Sequence, residues 1–160
     1  MKHTAVSFRL GEREIEVLVE PLTTLQSVLR DQLGYMATKD GCRQGGCGSC
    51  TVLVDGEPYL SCILPVEDVI DRRIDTVETQ TPVDGLNPIQ QALLDHNGLQ
   101  CGYCTPGFVM ITTALLERQP HPDRDEIIEA IGGNYCRCTG YRPILDAISA
   151  VAGPISEEAQ

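Results

Sequence analysis

At the start of the chain, apolar side chains fall on every second position. They are Val6, Phe8 and Leu10, then, after Gly11-Glu12, Ile15, Val17 and Val19. A period of two on both sides of a turn-forming pair predicts a β-hairpin. Pro21 ends it. Thr23 or Thr24 can then cap a helix whose Leu25, Val28, Leu29 and Leu33 share one face, and Gly34 stops it. Thr51–Val54 and Tyr59–Cys62 flank Asp55-Gly56, the signal of a second hairpin. Pro58 near that turn suits an edge position, and a short strand is expected around Ile74–Val77. The order β-β-α-loop-β-β predicts a small mixed sheet wrapped over one helix.

From Glu78 to Pro88 the composition shifts to Thr, Pro, Asp, Gly and Asn, which reads as a linker. The domains expected on this basis are residues 1–77 and 89–152, joined by 78–88. Beyond the linker the apolar spacing becomes helical. Ile89, Ala92, Leu93 and His96 share a face, so His96 is expected to pack rather than to bind a ligand. Val109, Thr113 and Leu116 share another; Ile127, Ile128 and Ile131 fit a third helix behind a capping Asp123, and Ile144, Leu145, Ile148 and Val151 fit a fourth. Four short helices with short connections predict a bundle. Residues 153–160 read as a loose tail.

Composition sharpens this picture. The chain has 160 residues, 42% hydrophobic and 22% charged, a balance that suits one or two small globular domains. With aromatics at 4% and no Trp, the cores must be aliphatic. Two small aliphatic cores are marginal alone, and metal centres would help to staple them. The net charge of −11 argues against nucleic-acid binding, which needs a basic footprint. No apolar run approaches membrane-spanning length. Met1-Lys2-His3 leads directly into alternating residues without the apolar core of a secretory leader, so a cytoplasmic location is expected.

The chemistry lies in eight cysteines. Cys42, Cys47 and Cys50 crowd the glycine-rich stretch Gly41–Cys50, and Cys62 follows at a distance. The spacing C-x4-C-x2-C with a distal Cys is that of plant-type [2Fe–2S] centres. Three thiolates from one short loop can converge only if the backbone curls tightly, and Gly41, Gly45, Gly46 and Gly48 permit the curl. Zinc more often takes two C-x2-C pairs from separate knuckles. Disulfides, allowed by the even count, fit a cytoplasmic chain poorly. The second set is Cys101 and Cys104 as C-x2-C, then Cys136 and Cys138 as C-x-C. Each pair is followed by a Thr; Thr105 can N-cap a helix with Pro106 at its first turn, while Thr139 and Pro143 open the last helix less tidily. A zinc knuckle remains open for C-x2-C alone, whereas C-x-C is a rare zinc pairing and suits a second two-iron core.

Both sets, in this order, resemble the small iron–sulfur subunit of the molybdenum hydroxylases, the family of xanthine dehydrogenase, aldehyde oxidoreductases and carbon monoxide dehydrogenase. The segments that carry the resemblance are Gly41–Cys50 with Thr51-Val52, Gln100–Gly107, and Gly133-Asn134 with Cys136–Tyr141. It spans roughly residues 4–152. Ser49 stands where the family more often has Ala, an exchange of one small residue for another. The resemblance implies an α+β chain, with an N-terminal β-grasp ferredoxin-like [2Fe–2S] domain and a C-terminal four-helix-bundle [2Fe–2S] domain. It also implies two partners, a large molybdopterin-binding subunit and a medium FAD-binding subunit, in a heterotrimer that can dimerise. Cys42, Cys47, Cys50 and Cys62 would hold the first cluster. Cys101, Cys104, Cys136 and Cys138 would hold the second, with Gln100 and Cys138 lying against the pterin of the molybdenum cofactor. Electrons would pass from molybdenum through the bundle cluster and the ferredoxin-type cluster to FAD, in the oxidation of a small organic substrate or CO.

The remaining candidates carry little. Arg137, between two cysteines, can balance the charge of an anionic cluster. Tyr103, Tyr135 and Tyr141 can shield it from water. His3, His96 and His121 are isolated. No nucleophile triad, paired-carboxylate signature or phosphate-cradling loop stands out, so no substrate-transforming residue is expected on this chain. A free-standing ferredoxin shuttle would need only the first set, which leaves the bundle unexplained. A zinc-stapled interaction module would be colourless, whereas [2Fe–2S] sites absorb visible light.

Overall fold

The computed structural model describes residues 3–153; the residues expected to form the tail, beyond 153, lie outside them. The alternation at the start of the chain becomes strands β1 (Thr4–Leu10) and β2 (Arg13–Val19), paired antiparallel from Thr4 opposite Val19 to Leu10 opposite Arg13. Val6, Phe8, Leu10, Val17 and Val19 are buried, as a period of two requires. Asp55 and Gly56, at φ +52° and +86°, form the tight turn between β3 (Thr51–Val54) and β4 (Glu57–Leu60). With β5 (Arg73–Asp75) these make a five-stranded sheet in the order β2-β1-β5-β3-β4. Only the β1–β5 pair is parallel. Pro58 lies on β4, at the sheet edge, where its missing N–H breaks no ladder.

Three local expectations are corrected. Cys62 is not in a strand: β4 ends at Leu60 and the chain turns back. The strand expected to reach Val77 stops at Asp75, because Thr76 caps a short helix α2 (Val77–Gln80), so the stretch read as linker begins with a helical turn. The helix after Thr24 is regular only over α1 (Leu25–Ser27) and then widens into a π-helical segment, Val28–Gln32. There the Leu33 N–H bonds the Val28 carbonyl at 3.1 Å and the Tyr35 N–H bonds that of Leu29 at 2.8 Å. The widening keeps Val28 and Leu29 turned onto the sheet while the chain swings toward the cysteine loop.

Beyond the sheet, the described residues carry four longer helices: α3 (Pro88–Asp95), α4 (Thr105–Arg118), α5 (Arg124–Ile131) and α6 (Arg142–Ala152). Asn87 and Gln90 form a reciprocal capping box on α3, and Asp123 and Glu126 form one on α5. Ile89, Leu93, Phe108, Ile127, Ile131, Ile144 and Ile148 make the helical core. His96 does not join it; it sits exposed at the C-terminal end of α3, where the helix ends before the apolar face would have carried it inward. β3 breaks the alternation, being buried on both faces. Val52 and Val54 face the core beneath α1, while Leu53 packs on Met110 and Ala114 of α4. Strand β3 therefore ties the sheet to the helices and brings the two cysteine-bearing regions together.

Candidate metal centres

The first cysteine loop has no regular structure, and its backbone takes left-handed values at Arg43 (φ +53°), Gly45 (φ +74°) and Gly48 (φ +72°). A Cβ at Gly41 would lie 2.7 Å from the Cys47 sulfur, so the curl is as tight as the sequence implied. The Gly46 N–H points at the Cys42 sulfur at 3.3 Å. Backbone N–H groups of Gln44 and Gly46 bring the Cys42 thiol down to about 7, so that its thiolate is ready at neutral pH. Cys50 behaves oppositely, its burial pushing the thiol up to about 11. Ser61 holds the distal turn in place: its backbone N–H and its hydroxyl both donate to the Cys50 carbonyl, at 3.4 and 2.7 Å. The four cysteines meet in pairs, Cys42 beside Cys47 and Cys50 beside Cys62.

The second set repeats the arrangement from the helical side. The sulfurs of Cys101 and Cys138 stand 3.6 Å apart and are exposed, whereas Cys104 and Cys136 are neighbours and buried. Burial pushes the Cys104 thiol up to about 12. At Cys136 burial acts in the same sense, but hydrogen bonds from the Thr139 hydroxyl and nearby backbone outweigh it and lower the thiol. The Cys136 N–H donates to the Tyr141 hydroxyl at 2.9 Å, and the Tyr141 ring meets Phe108 edge-on, 6.4 Å between centroids. Tyr141 thus supports the turn, while Tyr103 and Tyr135 stay about half exposed. Thr105 does not cap α4. Cys104 already has helical backbone angles, so Thr105 is the first helical residue, its hydroxyl buried without a partner among the described residues. Nor does Thr139 cap α6. Tyr141 takes that place at φ +68°, and the Thr139 hydroxyl accepts from the Tyr141 N–H.

Among the described residues, no three of His, Cys, Asp and Glu converge as the shell of one ion. Thiols gathered two by two are instead the donor arrangement that a two-iron core would need, in which each iron takes two cysteines and the bridging sulfides supply the rest. The glycine cradle and the N–H groups aimed at Cys42 fit such an anionic group. Gln100 is exposed, immediately before exposed Cys101. Arg137 is also exposed and reaches the Tyr135 hydroxyl at 3.2 Å. His121 bonds the Ala152 carbonyl at 2.8 Å through Nδ1, away from both sets.

Gly107 and Asn134 fall within the sequence motifs, where the sequence assigns neither a role. Both lie where the two cysteine sets touch. The signal was a glycine inside the first turn of a long helix, which costs helix stability unless another backbone comes close.

Two family models match. Residues 3–105 match a 2Fe-2S iron-sulfur cluster binding domain and residues 74–149 a [2Fe-2S] binding domain. Fold and matches together define a [2Fe–2S] cluster-binding protein. The chain is 41% identical over 154 residues to the nicotine 6-hydroxylase small subunit of Paenarthrobacter nicotinovorans, covering 96% of this chain and 92% of that one. It is 40% identical to the xanthine dehydrogenase/oxidase of Rattus norvegicus, covering 92% of this chain but 12% of that much longer protein. A chain of quinoline 2-oxidoreductase from Pseudomonas putida 86 superposes with a TM-score of 0.91 at 39% identity, over 95% of this chain and 94% of that one. The chain belongs to the iron–sulfur subunits of the molybdenum hydroxylases. No helix among the described residues is long and apolar enough to cross a membrane.

Proposed function

We propose that this chain is the electron relay of a heterotrimeric, cytoplasmic molybdenum hydroxylase, built as a ferredoxin-like β-grasp domain (residues 1–77) joined by residues 78–88 to a four-helix-bundle domain (89–152). Cys42, Cys47, Cys50 and Cys62 hold one [2Fe–2S] cluster; Cys101, Cys104, Cys136 and Cys138 hold the other. Bound there, the clusters supply one-electron carriers between a molybdopterin subunit and an FAD subunit. The chain itself contributes no substrate-transforming group.

The observation that carries the reading is the asymmetry of the second set. Cys104 and Cys136 are sealed in the helical core, while Cys101 and Cys138 stand exposed together beside the exposed amide of Gln100. An amide offers both a donor and an acceptor to the edge of a pterin. This side of the chain therefore faces the molybdenum subunit, and electrons enter there. They leave from the half-exposed Cys42 side of the first set toward the flavin.

Iron and labile-sulfide analysis of anaerobically purified protein tests the ligand assignment. About four irons per chain are expected, two per set. Cys47→Ser should remove or alter one EPR signal and spare the other, and Cys104→Ser should do the reverse. Two irons only, stoichiometric zinc, or loss of both signals from either single change in folded protein would refute it.

A further inference from the structure

Three backbone stretches meet between the two cysteine sets with almost nothing between them. The first is Cys47-Gly48 of the loop, where the Cys47 carbonyl accepts from the Tyr135 N–H at 2.9 Å and Gly48 has φ +72°. The second is the first turn of α4 at Gly107, where a Cβ would run into the Gly48 carbonyl oxygen and lie 2.6 Å from Asn134 Nδ2. The third is the turn after α5, which delivers the buried Asn134. A Cβ at Gly48 would meet Asn134 Oδ1 and the Gly133 carbonyl, each at 2.7 Å. Asn134 is 6% exposed, its backbone N–H is held by the Ile131 carbonyl at 2.8 Å, and its Nδ2 faces the Gly48 carbonyl at 3.5 Å. Each stretch carries a cysteine of one set: Cys47 adjoins Gly48, Cys104 precedes Gly107 by about one helical turn, and Cys136 follows Asn134 closely.

We propose that Asn134 is a positioning residue whose side-chain amide, set between Gly48 and Gly107, fixes the spacing between the two cysteine sets and so governs how fast electrons pass from one to the other. The inference rests on the two-cluster reading. The approach of Gly48 to Gly107 leaves no room for a methyl group, so the joint has no slack and the Asn134 amide that enters it bears directly on how closely the two backbones sit. The amide presents a donor to the Gly48 carbonyl; a carboxylate of the same shape would present only acceptors there and push the loop away. Electron transfer by tunnelling falls exponentially with distance, so a small opening of this joint slows passage even when both sets stay intact. A residue with a purely structural role would change stability and leave the spacing of a folded molecule as it was.

The test uses the complex assembled with its native partners. In the parent complex, iron content and two EPR signals decide the two-cluster reading before any variant is made. In the fully reduced complex the two paramagnetic centres perturb one another, and that mutual splitting reports their separation. Asn134→Asp is expected to keep the iron and both signals, to weaken the splitting, and to slow reduction of the first set by substrate several-fold, while the second set is reduced at the parent rate. Gly107→Ala, which adds a methyl directly into the joint, is expected to act in the same direction. If Asn134→Asp retains both signals with parent splitting and parent rate, the inference is overturned. It is equally overturned if Asn134→Asp loses a cluster while Gly107→Ala matches the parent, because Asn134 would then hold the fold and not the spacing.

Discussion

A methyl group at position 41 would sit 2.7 Å from the Cys47 sulfur, closer than any carbon can approach it. As the proposed iron ligand, Cys47 could not swing aside to make room. Gly41→Ala should therefore lower iron loading of the first set and spare the second, moving the chain from about four irons toward about two. Iron analysis with EPR reads this directly; full loading with both signals unchanged would show that the loop relaxes around the methyl group. The grouping of the cysteines into two sets was legible in sequence because residue spacing and glycine content are local properties. Their pairing, Cys101 with Cys138 and Cys104 with Cys136, is not local, because it depends on how α4 and the turn after α5 are brought together. The support given by the Tyr141 hydroxyl to the Cys136 N–H is hidden for the same reason: an exposed and a buried tyrosine look alike in a one-dimensional pattern.

Among the elements, the first hairpin, α3, α5 and α6 were legible because each buries one face and its apolar period shows which. α4 and β3 were less so because both are covered on more than one side. Met110 and Ala114 of α4 turn away from the helical core to meet Leu53, on the face of the sheet opposite α1. An element buried on two faces has no single periodicity to read. The widened helix after Ser27 escaped for a different reason, since a π segment preserves apolar composition and alters only the hydrogen-bond step. The contact between Leu53 and Met110 leads to a prediction. Met110 is fully buried at the junction of sheet and helices, so Met110→Ala should destabilise the chain by about 2–5 kcal/mol. Ile128, in a neighbouring helix but 45% exposed, should change stability by less than about 0.5 kcal/mol when replaced by Ala. Thermal melting of the iron-loaded proteins compares them, and equal melting temperatures would mean that the Leu53–Met110 contact does not hold the sheet to the helices.

For the whole molecule, the two sets lie in series, one on the sheet and one on the helices, joined through β3 and the Gly48–Gly107 contact. A relay of this shape has two ends, and the order in which its ends are used can be measured. Gln100 lies at the exposed end of the second set, outside both cores and without a sulfur of its own, so it can be changed without removing a ligand. A single amide hydrogen bond to a partner's pterin contributes about 0.5–1.5 kcal/mol net, enough to loosen docking there and too little to unfold this chain. Gln100→Ala should therefore keep about four irons and the parent helical content. In the assembled complex it should slow reduction of both sets by substrate, while reduction entering through the flavin proceeds near the parent rate. Cys138 offers no equally clean test, because replacing it would remove a proposed ligand together with any pterin contact. Stopped-flow absorbance, started once with substrate and once with a reductant of the flavin, separates the two ends. If only the flavin-side rate falls, electrons run in the opposite order, and the exposed pair Cys101 and Cys138 faces the flavin subunit instead.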